Sequence, residues 1–330
     1  MKKQKVLFFG AGVLGSLYAA RLQEAGADVT ILARGRRFED IRKHGIVLEH
    51  FETGERTKTP VKVVDRMPED ESFDLCVVTV QKTQLESALP VLASNPHIST
   101  YLFMTNTAQG PQAMIDALGY ERVMLSHGNA GGERAGHLVR YMVADKMPLA
   151  ELDGSRSKRL QEIAGTFRRA GFPVDMVRDM DAWKRYHVAL AVPFAYAMYK
   201  NDSCNLRLAA NREDVRLCLR GMKEAFRVLR ALDYPIEPPK LRLVFIIPEW
   251  ILVPLFRKVL KTSLADIGMA RHLRNASEEM EQLSAEFSEL VEASGLKTLV
   301  LDQLRRESGK VKLKTGGFVE CAAAGSVQNG

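Results

Sequence analysis

The sequence predicts an α/β protein: a Rossmann-type, doubly wound parallel sheet followed by an all-helical C-terminal domain. Three observations favour this fold. Predicted strands and helices alternate through the first half, a glycine-rich turn joins the first strand to the first helix, and long helical patterns take over after Val177. Such alternation is typical of a parallel sheet covered by helices on both faces. We therefore expect domains at 1–178 and 179–315, followed by a disordered tail over 316–330.

The first domain is predicted from short apolar runs bounded by turn residues. Strands are expected over 5–10, 28–33, 74–80, 100–104 and 122–125, and helices over 13–25, 85–93 and 155–170. Two further segments, 46–49 and 59–64, are separated by Gly54 and predict a hairpin insertion. A glycine-rich stretch over 128–136 leads into another apolar run at 137–143.

The second domain is predicted to be nearly all helical, with long helices over 181–200, 213–233 and 272–293. The last of these carries apolar residues every three or four positions, which is the spacing of one helix face. These positions are Leu273, Ala276, Met280, Leu283, Phe287 and Leu290.

The composition is that of a folded globular chain. Of 330 residues, 46% are hydrophobic and 26% charged, which argues against a disordered, collagen-like or multi-span membrane protein. The net charge of +7 comes without a basic face of interleaved aromatic residues, so no nucleic-acid partner is expected. The four cysteines are scattered without a metal-ligand spacing, which predicts no metal site and a reduced, cytoplasmic setting. Cys76, inside an apolar run, is expected to be a buried thiol.

Two apolar segments resemble membrane elements. The N-terminus, with lysines before an apolar run, mimics a secretory signal, but its glycines are better explained by a turn. The segment 243–256 is interrupted by Pro248, Glu249 and Pro254 and is too short for a transmembrane helix. We expect this segment to cover a cleft or to contact a partner subunit in a homodimer; a loose membrane-surface contact is the alternative.

A dinucleotide-binding fingerprint follows the first strand as Gly10-Ala11-Gly12-Val13-Leu14-Gly15. The order of strand, glycine turn, helix and second strand within about thirty residues is the context that this motif requires. Its first glycine permits the tight turn, its second lets the backbone approach a pyrophosphate, and its third lets helix and strand pack closely. The helix N-terminus then offers free N–H groups to the phosphates.

The residues at the end of the second strand indicate whether the cofactor is NAD or NADP. A dinucleotide enzyme specific for NAD usually places an acidic residue there, to bind the ribose 2′-hydroxyl. This chain instead has three arginines, Arg34, Arg36 and Arg37, and a guanidinium group matches a 2′-phosphate. The sequence therefore predicts NADP(H), bound first through Arg34, with Arg37 the arginine expected only to solvate a loop.

Together with its two-domain layout, the chain resembles the ketopantoate reductase (2-dehydropantoate 2-reductase) family over most of residues 4–305. The resemblance is carried by the fingerprint, the segment Thr105-Asn106-Thr107-Ala108-Gln109-Gly110, the pair Trp183-Lys184, and the helix that bears Glu279. The family reduces a 2-keto acid with NADPH in the cleft between a Rossmann domain and a helical domain. The resemblance implies the same fold and a reductase activity for this chain.

The resemblance also implies roles for residues at the strand ends. Gln81 stands where the family has a lysine near the cofactor, and Lys82 is displaced from that position by one residue. Lys82 is a weak candidate, since a surface lysine at a helix start explains it at least as well. Asn106 matches a family asparagine near the nicotinamide and the substrate. Ligands bind outside the carboxyl ends of parallel strands, which favours this role over an Asx-turn.

Lys184 is the leading catalytic candidate. The resemblance implies that it donates the proton to the reduced carbonyl, where a fixed positive donor stabilises the developing alkoxide. The sequence also places it at the head of an apolar helix face, near the N-terminus where the helix dipole disfavours a cation. Glu279 matches the family's glutamate, sixteen positions before Gly295, and is expected to bind substrate or orient the lysine. A solvated position on this acid-rich helix is its alternative explanation.

The substrate positions depart from the family pattern. Two family asparagines that bind the substrate, four and eight residues after the lysine, are Val188 and Val192 here, and His187 adjoins them. The sequence therefore predicts an NADPH-dependent reductase of a small carbonyl compound, a 2-keto acid other than ketopantoate. Two alternatives stay open: an opine-type dehydrogenase, which reduces an imine, and a regulatory protein that binds NADPH without turnover.

Overall fold

The computed structural model describes residues 3–263, 265–270, 273 and 276–309, with no side-chain description for 267–269. The predicted tail over 316–330 lies outside the described residues, as do parts of the predicted helix start near His272.

The predicted strands and helices lie close to their expected positions, and the structure adds strands and helices that were not predicted. The strands are β1 (Lys5–Phe9), β2 (Asp28–Leu32), β3 (Ile46–His50), β4 (Arg56–Thr59), β5 (Lys62–Val64), β6 (Leu75–Val78), β7 (Tyr101–Phe103), β8 (Val123–Ser126), β9 (Ala130–Ala135), β10 (Leu138–Val143), β11 (Met147–Glu151) and β12 (Val174–Met176). The helices are α1 (Val13–Glu24), α2 (Arg36–His44), α3 (Lys82–Ala93), α4 (Gln112–Leu118), α5 (Lys158–Arg169), α6 (Met180–Lys200), α7 (Asn205–Ala210), α8 (Arg212–Ala231), α9 (Leu243–Ile246), α10 (Glu249–Val259), α11 (Ser277–Ser294) and α12 (Leu299–Gly309).

The main sheet has eight strands in the order β12-β11-β8-β7-β6-β1-β2-β5. All neighbouring strands run parallel except β8 and β11, which are antiparallel. The strand order reverses between β1 and β6, since β2 lies on one side of β1 and β7 lies beyond β6. This reversal is the topological switch point at which doubly wound sheets bind ligands. The predicted Rossmann-type α/β fold is confirmed.

A second sheet, in the order β4-β3-β10-β9, contains the predicted insertion. Strand β3 forms an antiparallel hairpin, as expected, but its partner β4 is Arg56–Thr59 rather than the predicted segment 59–64. Strand β4 ends before Pro60, which has no N–H to donate to a ladder. The second half of the predicted segment is β5, which joins the main sheet parallel to β2.

Both faces of the main sheet are buried, which explains why its central strands are continuous apolar runs. Along β1, Val6 and Phe8 belong to one hydrophobic cluster, whereas Leu7 and Phe9 belong to the other. Cys76 is a free, fully buried thiol whose pKa is raised by burial, in line with the sequence prediction.

The chain divides into two compact units. The first contains residues up to 185 together with 281–286, and the second contains 186–280 and the residues from 287 onward. The division falls inside α6, seven residues beyond the expected boundary at 178. The described part of the second unit holds helices and no strands. Across the described residues, every helix is too short or too polar to span a lipid bilayer.

Candidate active site

The fingerprint turn has the backbone geometry that its glycines predict. Gly10 follows β1 with a φ of +114°, which disfavours other residues. A Cβ atom on Gly15 would lie 1.9 Å from the Gly10 carbonyl oxygen, so any side chain there would clash. Thr79, after β6, donates from Oγ1 to the Gly10 carbonyl at 3.0 Å. The turn is therefore fixed by the close approach of α1 and the two central strands.

The space beside the turn suits a phosphate group. A Cβ on Gly12 would meet no atom within 4 Å, which leaves room for a ligand against the backbone. Helix α1 begins at Val13 without a side-chain cap and without an acidic residue in its first turn. The first-turn N–H groups and the positive end of the helix dipole can therefore bind an anion. These residues fit the pyrophosphate of a dinucleotide.

Arg37 supports the glycine turn, a role that the sequence did not indicate. Its side chain is buried, and its guanidinium group donates to the Ala11 carbonyl at 3.2 Å, to Ser16 Oγ at 2.8 Å and to the His137 carbonyl at 3.1 Å. Burial lowers the pKa of Arg37 to about 10. The expectation of a solvated loop arginine is therefore wrong. The sequence did not indicate this contact because Arg37 and Ala11 are far apart in the chain.

A cavity of about 860 Å³ lies at the carboxyl end of β2. Arg34 lines this cavity, as expected for a group predicted to bind the 2′-phosphate of NADP(H). Arg66 lines it as well, because β5 pairs with β2 and brings the residues after both strands to one edge. Sequence reasoning missed Arg66, although it follows a short apolar strand. Four carboxylates share the cavity wall: Asp65, Glu69, Asp70 and Glu71.

Lys184, the fifth residue of α6, is buried at the carboxyl ends of β7 and β8. Its Nζ donates to the Thr105 carbonyl at 2.8 Å and to the Ser126 carbonyl at 2.6 Å. Burial lowers the pKa of Lys184 to about 7, and the nearby Asp181 carboxylate opposes this shift. An ammonium group has three N–H donors, so these two carbonyls leave one N–H for a further acceptor.

Asn106 lies at the end of the strand that Lys184 contacts. Its side chain is half-buried and makes no hydrogen bond to another residue in the described part of the chain. An Asx-turn would occupy the side-chain oxygen with a local backbone N–H. The Asn106 amide is thus available as both donor and acceptor.

Charged side chains hold the segment around Asn106. Glu286 Oε2 accepts from the Ala108 N–H at 2.9 Å, and Arg185 donates to the Ala108 carbonyl. Lys82 Nζ lies 2.9 Å from Glu286 Oε1 and donates to Thr107 Oγ1 at 3.3 Å. The carboxylate and both cations are buried. They fix the backbone on the carboxyl side of Asn106, so the segment is rigid although it has no regular secondary structure.

These contacts settle how Lys82 and Gln81 are placed. Lys82 is 7% exposed, so the surface-lysine explanation is wrong. Its side chain forms an ion pair with Glu286. Gln81 is an exposed residue at the start of α3, where the Gln84 side-chain oxygen accepts from its backbone N–H at 3.3 Å. Sequence reasoning did not single out Glu286, which is one of several acids on the helix that bears Glu279. Its spacing of seven from Glu279, two turns along one helix face, is the signal that could have found it.

The predicted residues of the helical part are mostly buried. Glu279 is 3% exposed, so the solvated-face explanation is wrong, whereas its neighbour Glu278 is exposed. Val188 and Val192 expose 0% and 3% of their surface. His187 is half-buried, and so is Ala191 one turn later on the same face of α6. His187 and Ala191 are therefore accessible residues of α6, each one position before a predicted valine.

Comparison with known proteins finds similar reductases. Residues 6–152 match the family model for ketopantoate reductase PanE/ApbA. The 2-dehydropantoate 2-reductase of Pyrococcus horikoshii is 25% identical over 181 residues, which cover 54% of this chain and 58% of that protein. The chain thus spans little more than half the length of this curated relative.

Two solved structures share the fold over almost the whole chain. A PanE/ApbA family ketopantoate reductase from Ralstonia eutropha is 19% identical, with a TM-score of 0.73 and coverage of 93% of this chain and 99% of that one. A D-mandelate dehydrogenase, solved with NADH and anilino(oxo)acetate, is 13% identical, with a TM-score of 0.75 and coverage of 93% and 98%. Residues 6–152 are thus similar to the ketopantoate reductase PanE/ApbA family, and the two solved structures show a shared fold.

Proposed function

We propose that this protein is an NADPH-dependent reductase of a small 2-keto acid. The observation that carries the proposal is Lys184, a buried lysine with a pKa near 7 at the carboxyl end of a Rossmann-type sheet. A group whose pKa lies near neutral pH is suited to proton transfer. The relatives named 2-dehydropantoate 2-reductase and D-mandelate dehydrogenase support the same class of reaction.

Lys184 would act as the proton donor. A nicotinamide cofactor, when bound, would supply a hydride for the substrate carbon, and the carbonyl oxygen would then need a proton. The Thr105 and Ser126 carbonyls hold the ammonium group in place, and its third N–H would donate to that oxygen. Burial lowers the pKa of Lys184, so less free energy is needed to transfer its proton to the substrate oxygen.

The cofactor would bind along the carboxyl edge of the sheet. Gly12 and the start of α1 would hold the pyrophosphate. Arg34 and Arg66 would bind the 2′-phosphate of NADPH in the cavity after β2. Of the carboxylates in that cavity, Glu71 already pairs with Lys5 and Lys62, which reduces its repulsion of a phosphate. Asn106 would bind the nicotinamide carboxamide or the substrate carboxylate.

The substrate would be a 2-keto acid with an apolar end. Ketopantoate carries a hydroxyl group, and leaving it unpaired in an apolar site costs about 1–3 kcal/mol. The valines at 188 and 192 cannot supply that partner, while His187 and Ala191 are the accessible residues beside them. Glu279, buried on α11, is proposed to bind the substrate or to orient the catalytic groups.

Consumption of NADPH across a panel of 2-keto acids, with and without amines, tests the proposal. We expect turnover without an amine and a higher kcat/KM for branched or aromatic keto acids than for ketopantoate. Turnover only with an amine would indicate an opine-type dehydrogenase, and tight NADPH binding without turnover would indicate a regulatory protein. Selective reduction of ketopantoate would contradict the apolar substrate. A homodimer and a cytoplasmic location also stay predictions, to be tested by sedimentation velocity and cell fractionation.

A further inference from the structure

Exposed apolar side chains are concentrated in α9 and α10. Of the eleven most exposed large hydrophobic residues in the described part of the chain, six lie between 243 and 259. Trp250 and Ile246 are 71% and 72% exposed. We call this set the 243–259 surface: Leu243, Ile246, Trp250, Ile251, Leu255 and Val259. Contiguous apolar patches of this kind mark interaction sites on folded proteins.

Helix α10 is apolar on both sides. Its exposed positions, 250, 251, 254, 255, 258 and 259, recur at the spacing of one helix face. Leu252 and Val253 are buried on the opposite side. A helix that is hydrophobic all round is normally covered on all sides, but no described part of the chain covers the outer face of α10.

The inner side of this segment is firmly attached to the helical unit. Glu249, at the start of α10, forms a two-pronged ion pair with Arg220 of α8, with distances of 3.0 and 2.9 Å. Arg257 donates to the Ala209 carbonyl at 2.7 Å, and Asn205 donates to the Leu260 carbonyl at 2.8 Å. These contacts hold α10 in place. Its apolar face therefore points outward as a fixed feature of the fold.

The charges around the surface select its partner. Residues 240–261 contain five basic side chains and one acid, Glu249. That acid is already paired with Arg220. Arg242, Lys258 and Lys261 are exposed, and Lys258 lies within the exposed face of α10. In a two-fold contact with a second copy, these cations would face the same cations, which disfavours association.

We propose that the 243–259 surface binds the surface of an anionic lipid bilayer. Its apolar side chains would insert at the level of the headgroups, where tryptophan is favoured. Its cations would contact lipid phosphates, with the long Lys258 side chain extending to the headgroups from within the apolar face. The proposal does not depend on the reaction that the protein catalyses.

Binding of the purified protein to vesicles tests this inference. We expect it to co-sediment with vesicles of phosphatidylcholine and phosphatidylglycerol, and much less with phosphatidylcholine alone. Because each basic residue near an anionic surface contributes about 1 kcal/mol, K258Q/K261Q should weaken binding about 25-fold. W250S/L255S should weaken it at least tenfold. The matched controls Tyr120→Ser and Leu299→Ser remove exposed side chains outside the surface and should bind as wild type.

Tryptophan fluorescence locates the contact. Lipids brominated near the headgroup should quench the emission of the wild-type protein, and Trp250→Phe, which leaves Trp183, should lose this quenching. Absence of binding to the anionic vesicles would overturn the proposal. It would also be overturned by a dimer in sedimentation velocity that W250S/L255S converts to a monomer, since the surface would then belong to a second copy.

Discussion

Removal of the Lys184 amine is the perturbation that tests the proposed chemistry most directly. A shift from the ordinary value of 10.5 to about 7 leaves Lys184 about half protonated at pH 7. Reduction requires the protonated form, so kcat/KM for a keto acid should be constant below pH 7 and should fall about tenfold per pH unit above it. Oxidation of the hydroxy acid requires the neutral amine, so its rate should rise towards pH 7 and then level off.

The expected loss is large. Positioned proton transfer contributes about 10²–10⁴-fold, or about 3–5 kcal/mol of barrier, so Lys184→Ala should lower kcat by that factor and change NADPH affinity little. Lys184→Arg keeps the charge but does not titrate, so it should lose the change in rate near pH 7. Lys158→Ala, with a side chain that is 91% exposed, is the matched control and should behave as wild type.

Stability provides a second measurement of the same pKa. Because the folded-state pKa of Lys184 lies below its unfolded value, the unfolded chain binds more protons between pH 7 and pH 10.5, and this group makes stability rise with pH across that window. The difference in unfolding free energy between Lys184→Met and wild type should therefore shift by about 2 kcal/mol in favour of wild type between pH 7 and pH 9. A variant with near-normal turnover and an unchanged pH profile would refute the reasoning and leave Lys184 a structural residue.

The other predictions concern charged residues around the cofactor site. Arg34→Ala should weaken NADPH binding by about 1.5–3 kcal/mol and leave NADH binding unchanged, as measured by titration; equal losses would contradict a 2′-phosphate contact. Arg37→Met should weaken both cofactors alike, since Arg37 supports the turn through the Ala11 carbonyl; a loss confined to NADPH would contradict that role. Glu286→Ala should destabilise the fold by about 3–5 kcal/mol in chemical denaturation, because it removes the carboxylate that pairs with the buried Lys82 cation. The double variant K82M/E286L should recover most of this loss, and no recovery would show that the Ala108 contact is the important one.

The sequence predicted the sheet because its signals are local. The fingerprint from Gly10 to Gly15 needs a strand before it and a helix after it, and both are encoded within a short stretch of chain. Buried strands such as β6 are read from four or more consecutive apolar residues. The position of Lys184 near the start of a long helix also followed from the sequence, since the apolar spacing of α6 continues over its whole length.

The sequence by itself thus determined the fold class and the glycine turn, and it singled out Lys184 as the leading catalytic candidate. Only the tertiary structure decided how charges far apart in the chain are paired. Arg37 reaches the His137 carbonyl, and Lys82 pairs with Glu286 some two hundred residues away. Arg37 was expected to solvate a loop, and a surface position explained Lys82 at least as well as a role in the site, because a lone charge in a polar stretch of sequence is normally solvated. A buried charge is tolerated only when folding provides its partner, and that partner depends on the order of strands and helices rather than on neighbouring residues.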